Sequence, residues 1–141
     1  MSSRTVAYWV TTGLFSAGIA FSGFATATHQ PGMVAAYQHL GYPLYFMTIL
    51  GVAKLLGAAT LLAPGLPRLK EWAYAGFAIN LGSAFLSHLA MGDAANQAVM
   101  PLVFLAMALA SWALRPASRT LAPVLGATSE PSLGAPAHAA A

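Results

Sequence analysis

Apolar residues fall into four long stretches along this chain, at residues 6–27, 44–63, 72–91 and 97–114. Each stretch is close to the roughly 20 residues that an α-helix needs to cross about 30 Å of hydrocarbon. A single charged side chain, Lys54, interrupts them. The pattern predicts an all-α membrane protein, a four-transmembrane-helix bundle that runs up, down, up and down.

A shorter helix is predicted between the first two stretches. Met33, Val34, Tyr37 and Leu40 are spaced so that they share one helical face, with His39 on the other. A short amphipathic helix that carries tyrosines suits the boundary between lipid headgroups and hydrocarbon. We therefore expect an interfacial helix between transmembrane helices 1 and 2.

The first stretch has an alternative interpretation as a cleaved signal peptide, with Arg4 before it and Ala25-Thr26-Ala27 as the cleavage site. Its apolar core is longer than the roughly 7–15 residues of a signal peptide. The stretch also carries small residues at helical spacing, as a packed transmembrane helix needs: Gly13, Ser16, Ala17, Ala20, Gly23 and Ala27. We therefore expect this helix to be retained.

The composition excludes several classes of protein, soluble domains among them. Of the 141 residues, 58% are apolar and only 6% are charged, against about 25% charged in soluble domains. The net charge of +3 lies mainly at the ends of the apolar stretches, which indicates membrane topology and not a nucleic-acid interface. The absence of cysteine from the sequence excludes disulfides, thiolate metal sites and cysteine nucleophiles.

The basic residues predict the orientation of the bundle. Five of the six fall on one side when the stretches are threaded through a bilayer: Arg4, Arg68, Lys70, Arg115 and Arg119. The positive-inside rule then places both termini in the cytoplasm of a bacterial inner membrane. Residues 1–115 are the expected transmembrane domain, and residues 116–141, rich in Ala, Pro, Ser and Gly, are an expected disordered cytoplasmic tail.

Lys54 is the sixth basic residue and lies near the predicted bilayer midplane. It occurs as Gly51-x-x-Lys54-x-x-Gly57, and Asn80 falls at the matching depth of the third stretch. The acidic residues are all expected outside the core. One interpretation is a structural lysine that snorkels or bonds to Asn80 or free carbonyls. The other is a lysine that faces the bundle interior and contacts an oxygen of a bound lipid, quinone or partner subunit.

The third stretch carries further polar residues on one face. Asn80, Ser83 and Ser87 recur at steps of three and four residues, with His88 at the outer edge. Such a stripe serves either as a helix interface joined by hydrogen bonds or as the lining of a ligand site. We therefore take Lys54, Asn80, Ser83, Ser87 and His88 as candidate ligand-binding residues.

Other kinds of chemistry find little support in the sequence. His29, His39 and His88 are expected near the outer side, but their spacings match no metal or haem motif, so no metal site is predicted. We find no nucleophile–base pair, phosphate-binding glycine loop or pair of carboxylates, so no catalytic residue is predicted either.

Several motifs resemble those of the DoxX-like family of small bacterial membrane proteins. The similar segments are Gly51-x-x-Lys54-x-x-Gly57, Leu62-x-Pro64, Leu69-x-Glu71-Trp72-Ala73-Tyr74-Ala75-Gly76 and Ser87-His88-x-x-x-Gly92-Asp93. The resemblance implies four transmembrane helices and a link to quinone or redox metabolism, because the family name derives from a subunit of a membrane thiosulfate:quinone oxidoreductase. It also implies that the position of Asn80 is often acidic in relatives, where it would pair with the lysine.

These observations favour an accessory membrane subunit in quinone-linked or redox metabolism that binds a small lipid-soluble ligand. The possible cofactor is a quinone, and the expected partners are the lipid bilayer and other membrane subunits or a second copy of the chain. One alternative is a non-catalytic assembly subunit, which requires an exposed face of small residues, most simply on the first helix. A small-solute carrier is another, although the chain has no inverted repeat.

Overall fold

The computed structural model describes residues 1–122, and these residues contain helices and no β-strand. The all-α prediction is therefore confirmed for this part of the chain. The helices are α1 (Ser3–Ala27), α2 (Pro31–His39), α3 (Leu44–Leu62), α4 (Pro67–Met91) and α5 (Ala95–Leu114), followed by a short 3-10 helix (Ala117–Arg119).

Helices α1, α3, α4 and α5 pack as an antiparallel ring in which α1 and α4 lie opposite each other. The rings of Phe15 on α1 and Phe77 on α4 meet edge to face across the centre, with centroids 5.2 Å apart. Leu61 and Ala108 complete this core from α3 and α5. Helix α2 caps one end of the ring, which we call the α2 end, and we call the opposite end the arginine end.

Helix α4 begins earlier than the sequence indicated. The third apolar stretch begins at Trp72, but residues 68–71 are already helical, because α4 starts at Pro67. Proline is favourable in a first turn because its fixed φ suits the helix and the missing N–H has no partner there in any case. The loop is thus reduced to residues 63–66, and Lys70 and Glu71 become helical.

Helix α5 also begins earlier than predicted, at Ala95, and Pro101 lies inside the helix. A proline at this position cannot donate a hydrogen bond to the carbonyl four residues before it, which is that of Gln97. One backbone acceptor near the α2 end of α5 is therefore left without its helical partner.

The segment that follows α5 is more ordered than predicted at its beginning. Residues 117–119 form one 3-10 turn, and the Arg119 side chain donates to the carbonyl oxygens of Leu61 (2.9 Å) and Leu62 (3.4 Å) at the end of α3. It also stacks 4.4 Å from the ring centroid of Trp9. The remainder of the predicted tail, residues 123–141, lies outside the described residues.

Within residues 1–122, three helices are long and apolar enough to cross a membrane, namely α1, α3 and α5. Helix α4 has 25 residues, which is ample length, but it is less apolar than the other three. The reasons are the charged residues Arg68, Lys70 and Glu71 near its start and the polar stripe of Asn80, Ser83, Ser87 and His88. A fourth span and the interfacial position of α2 remain predictions.

Candidate ligand-binding site

A cavity of about 870 Å³, which we call the α2 cavity, lies between α2 and the adjacent halves of the other helices. Most of its wall is apolar, with contributions from side chains such as Ile19, Phe46 and Phe104. Polar side chains from all five helices also reach it: Ser22, Tyr37, Tyr42, Lys54, Asn80, Ser83, His88 and Gln97. An apolar cavity with a few polar groups is the usual form of a small-molecule site.

Four of the five predicted site residues, Lys54, Asn80, Ser83 and His88, line this cavity. Lys54 is ten residues from the start of α3 and Asn80 is eleven from the end of the antiparallel α4, so both lie about 15 Å from the α2 end. The depth match expected from the sequence brings them to the same cavity wall. Their binding role remains a prediction.

The hydrogen-bond partner of Lys54 differs from the one considered in the sequence analysis. Lys54 Nζ donates to Ser22 Oγ on α1 at 3.2 Å, and no bond to Asn80 is present among the described residues. An ammonium group has three N–H donors. The single Ser22 contact therefore leaves donor capacity at Lys54, in a cavity that Asn80 also lines.

Ser87, the fifth predicted residue, is not in the cavity wall. Its hydroxyl donates to the carbonyl oxygen of Ser83 at 2.8 Å and lies 2.8 Å from the hydroxyl of Tyr42, which does line the cavity. Ser87 therefore positions the Tyr42 side chain and ties the start of α3 to α4.

Asp93 joins α2 to the end of α4. Its carboxylate accepts hydrogen bonds from His39 Nε2 (2.6 Å) and His88 Nδ1 (2.7 Å), one on each oxygen. These two bonds hold the pKa of Asp93 below its usual value, and the bond from His88 has the larger effect. An ionised Asp93 thus fastens the last residue of α2 beside His88, a residue of the cavity wall.

The third histidine near the α2 end is separate from this pair, since His29 Nε2 lies 3.1 Å from Thr48 Oγ1. In residues 1–122 no cluster of three or more metal-ligating side chains is arranged to hold an ion. The histidines therefore serve as hydrogen-bonding groups in the described structure.

A second cavity of about 370 Å³ lies between α3 and α4 and extends toward the arginine end. We call it the α3–α4 groove. Its wall is mainly apolar and includes Ala53, Trp72 and Phe77. Four residues line both cavities: Leu50, Lys54, Gly76 and Asn80. The two cavities therefore adjoin at the level of Lys54 and Asn80.

The arginine end contains hydrogen bonds that the sequence analysis missed. Lys70 is completely buried, and its Nζ donates to the carbonyl oxygens of Thr60 (2.9 Å), Ala63 (2.5 Å) and Gly65 (2.8 Å). Arg115 is only 5% exposed and pairs with Glu71 at 2.7 Å. These cations, expected only to set membrane orientation, also hold the helix ends together.

The family model of the DoxX-like family matches residues 10–111. The chain belongs to the DoxX-like family. Comparison with curated proteins and with solved structures found no match. Every residue that lines the α2 cavity or the α3–α4 groove lies within the segment matched to the DoxX-like family. Family membership and the three apolar helices point to a multi-pass integral membrane protein.

Proposed function

We propose that this protein is an accessory membrane subunit of quinone-linked or redox metabolism that binds a lipid-soluble ligand of quinone type in the α2 cavity. The observation that carries the proposal is Lys54, a cationic side chain deep in a largely apolar cavity with one hydrogen bond, to Ser22. Cations at this depth in a membrane protein are costly and are usually retained for function.

The residues of the cavity fit the chemistry of a quinone. A quinone ring presents two carbonyl oxygens, which accept hydrogen bonds, on an otherwise apolar body. Lys54 and the amide of Asn80 supply donors at the inner end, and Tyr42 and His88 supply polar groups nearer the α2 end. The bound group would supply the redox chemistry, while these side chains would bind and orient it.

The proposed membrane arrangement has four spans with both termini on the cytoplasmic side. Its support is that α4 runs antiparallel to α3 and α5 and reaches both ends of the ring, since Lys70 contacts the end of α3 and Asp93 contacts His39 of α2. If α3 and α5 cross the bilayer, α4 beside them crosses the same thickness, and its polar residues Asn80, Ser83 and His88 line the cavity.

Thiol labelling tests this arrangement directly, because the chain has no cysteine of its own. We expect Asn96→Cys to react with a membrane-impermeant maleimide added to intact spheroplasts, and Ser118→Cys to react only after the membrane is opened. Asn96 is exposed in the first turn of α5, and Ser118 follows the other end of that helix. If α4 did not cross the membrane and the N-terminus kept the same orientation, α5 would cross in the opposite direction. Ser118→Cys would then react in intact spheroplasts and Asn96→Cys would not, so the two variants distinguish four spans from three.

Ligand retention tests the proposed function. We expect wild-type protein purified in native-lipid discs to carry a stoichiometric quinone, detected by mass spectrometry, and Lys54→Met to retain about tenfold less. Methionine keeps the length and apolar stem of lysine, so the fold should be unaffected. Arg68→Met is the matched control, because it also removes a cation, from an exposed position outside both cavities. Equal retention in all three proteins would contradict the proposal.

The helix packing gives less support to the alternative function, a non-catalytic assembly subunit, than to ligand binding. It requires an exposed face of small residues on α1, but Ser16 and Gly23 of that stripe are buried. A side chain at Gly23 would meet Lys54 Cβ at 2.9 Å and Gly51 O at 3.0 Å, so the stripe is used to pack α1 against α3. Two of the six small residues of the stripe are thus buried inside one copy of the bundle, whereas Ala17 is exposed and Gly13 has no atom within 4 Å of an added Cβ.

A further inference from the structure

We infer that the ligand is an amphiphile with a long hydrocarbon tail, whose head occupies the α2 cavity and whose tail passes Gly76 into the α3–α4 groove. This inference rests on the proposed function, because it identifies which part of the ligand each cavity holds. The two cavities adjoin at the four residues that line both of them: Leu50, Lys54, Gly76 and Asn80.

The distribution of polar groups assigns the head and the tail. The α2 cavity has polar side chains along its whole length, from Tyr37 and His88 near α2 to Lys54 and Asn80 at the inner end. Beyond Lys54 and Asn80, the α3–α4 groove offers only two side chains with a polar group. One is Thr60, whose hydroxyl already donates to the carbonyl oxygen of Leu56, and the other is Trp72, whose indole carries a single N–H. Hydrocarbon is therefore the matching occupant of the groove.

Gly76 lies where the inferred path of the tail passes from one cavity to the other. Gly76 lines both cavities, and a Cβ atom built on it would have no other atom within 4 Å. By contrast, Gly57 opposite on α3 is filled by Phe77, whose ring would come within 2.5 Å of an added Cβ. Gly76 is exposed, so the open space beside it lies on the surface of α4, at the level where the polar cavity and the apolar groove adjoin.

Substitution at Gly76 provides the test, because a larger side chain fits there without disturbing the fold. We expect Gly76→Leu to weaken binding of a quinone with a long prenyl chain about tenfold, since the tail loses buried hydrocarbon contact. Binding of a homologue with a single isoprene unit should change less than twofold. Binding to purified protein in detergent is measured by equilibrium dialysis with mass spectrometry, which requires no redox activity.

Two further variants make the result specific. Gly82→Leu adds the same side chain to the same helix, also where nothing lies within 4 Å of a Cβ but outside both cavities, and should change neither affinity. Ala53→Phe fills the groove from its exposed position on α3 and should reproduce the selective loss. Equal effects on both homologues, or no effect from either groove variant, would overturn the inference.

Failure of the inference can be distinguished from failure of the proposed function. If Lys54→Met weakens both homologues but the groove variants do not discriminate between them, the head site stands and the tail lies elsewhere. If the wild-type protein binds neither homologue, the proposed function fails, and the inference fails with it.

Discussion

Replacement of Lys70 by methionine is expected to lower the free energy of unfolding by about 3 kcal/mol. Lys70 is fully buried, and its three hydrogen bonds go to carbonyl oxygens at and just beyond the end of α3. Carbonyls at a helix C-terminus carry partial negative charge and have no partner within the helix. Methionine would fill the space but leave these acceptors without the ammonium donor.

The matched control is Arg68→Met, two residues earlier in the same turn. Arg68 is exposed and makes no side-chain hydrogen bond or ion pair in the part of the chain that the structure describes. Its substitution should change the unfolding free energy by less than about 0.5 kcal/mol. Thermal unfolding in detergent, followed by tryptophan fluorescence, compares the two variants. Equal stability of both would mean that Lys70 serves only as a topological charge.

The helical architecture was predictable because apolar stretches of about 20 residues can fold in few ways within a membrane. Helix ends were less predictable where proline was involved. Pro67 lies between the second and third predicted stretches, yet it begins α4, and Pro101 lies inside α5. Proline is compatible with a loop, a first turn or a tolerated interior position, and the choice depends on the neighbouring helices and not on local sequence.

The candidate site was predictable to the extent that depth follows from residue counting. Lys54 and Asn80 were placed at one level by counting alone, and both reach the same cavity. Ser22, the hydrogen-bond partner of Lys54, was not anticipated, because its position depends on the register between α1 and α3. Tyr37 was predicted only as part of an interfacial helix, and Tyr42 was not singled out. Both line the cavity, because α2 folds over the ring in a way that local sequence does not reveal.

The basic residues show a further limit of reading charge from sequence. The positive-inside pattern depends only on where a cation lies along the chain, and it carries no information about burial. Lys70, Arg115 and Arg119 satisfy the pattern while also bonding to helix ends or to Glu71. Arg68 satisfies the pattern without comparable contacts in the described residues. Only the packed structure separates these roles.

Gly51→Ala is expected to destabilise the protein by about 2 kcal/mol, although alanine is the better helix former. A Cβ at Gly51 would lie 2.7 Å from the Cα of Ala27 and closer still to its backbone nitrogen. A backbone cannot move aside as a flexible side chain can, so α1 and α3 would have to separate. Thermal unfolding in detergent, as for Lys70, measures the loss.

The opposite sign is expected for Gly82→Ala, which is the matched control on α4. No atom lies within 4 Å of an added Cβ there, so the substitution should stabilise the helix by up to about 1 kcal/mol through its propensity alone. If both variants were stabilising, the close approach of α1 and α3 would be wrong.

Because Lys54 follows Gly51 by one helical turn and bonds to Ser22 across this same contact, separation of the two helices in Gly51→Ala should also weaken ligand retention. Gly51 therefore links the packing of α1 against α3 to the position of the Lys54 ammonium group in the cavity.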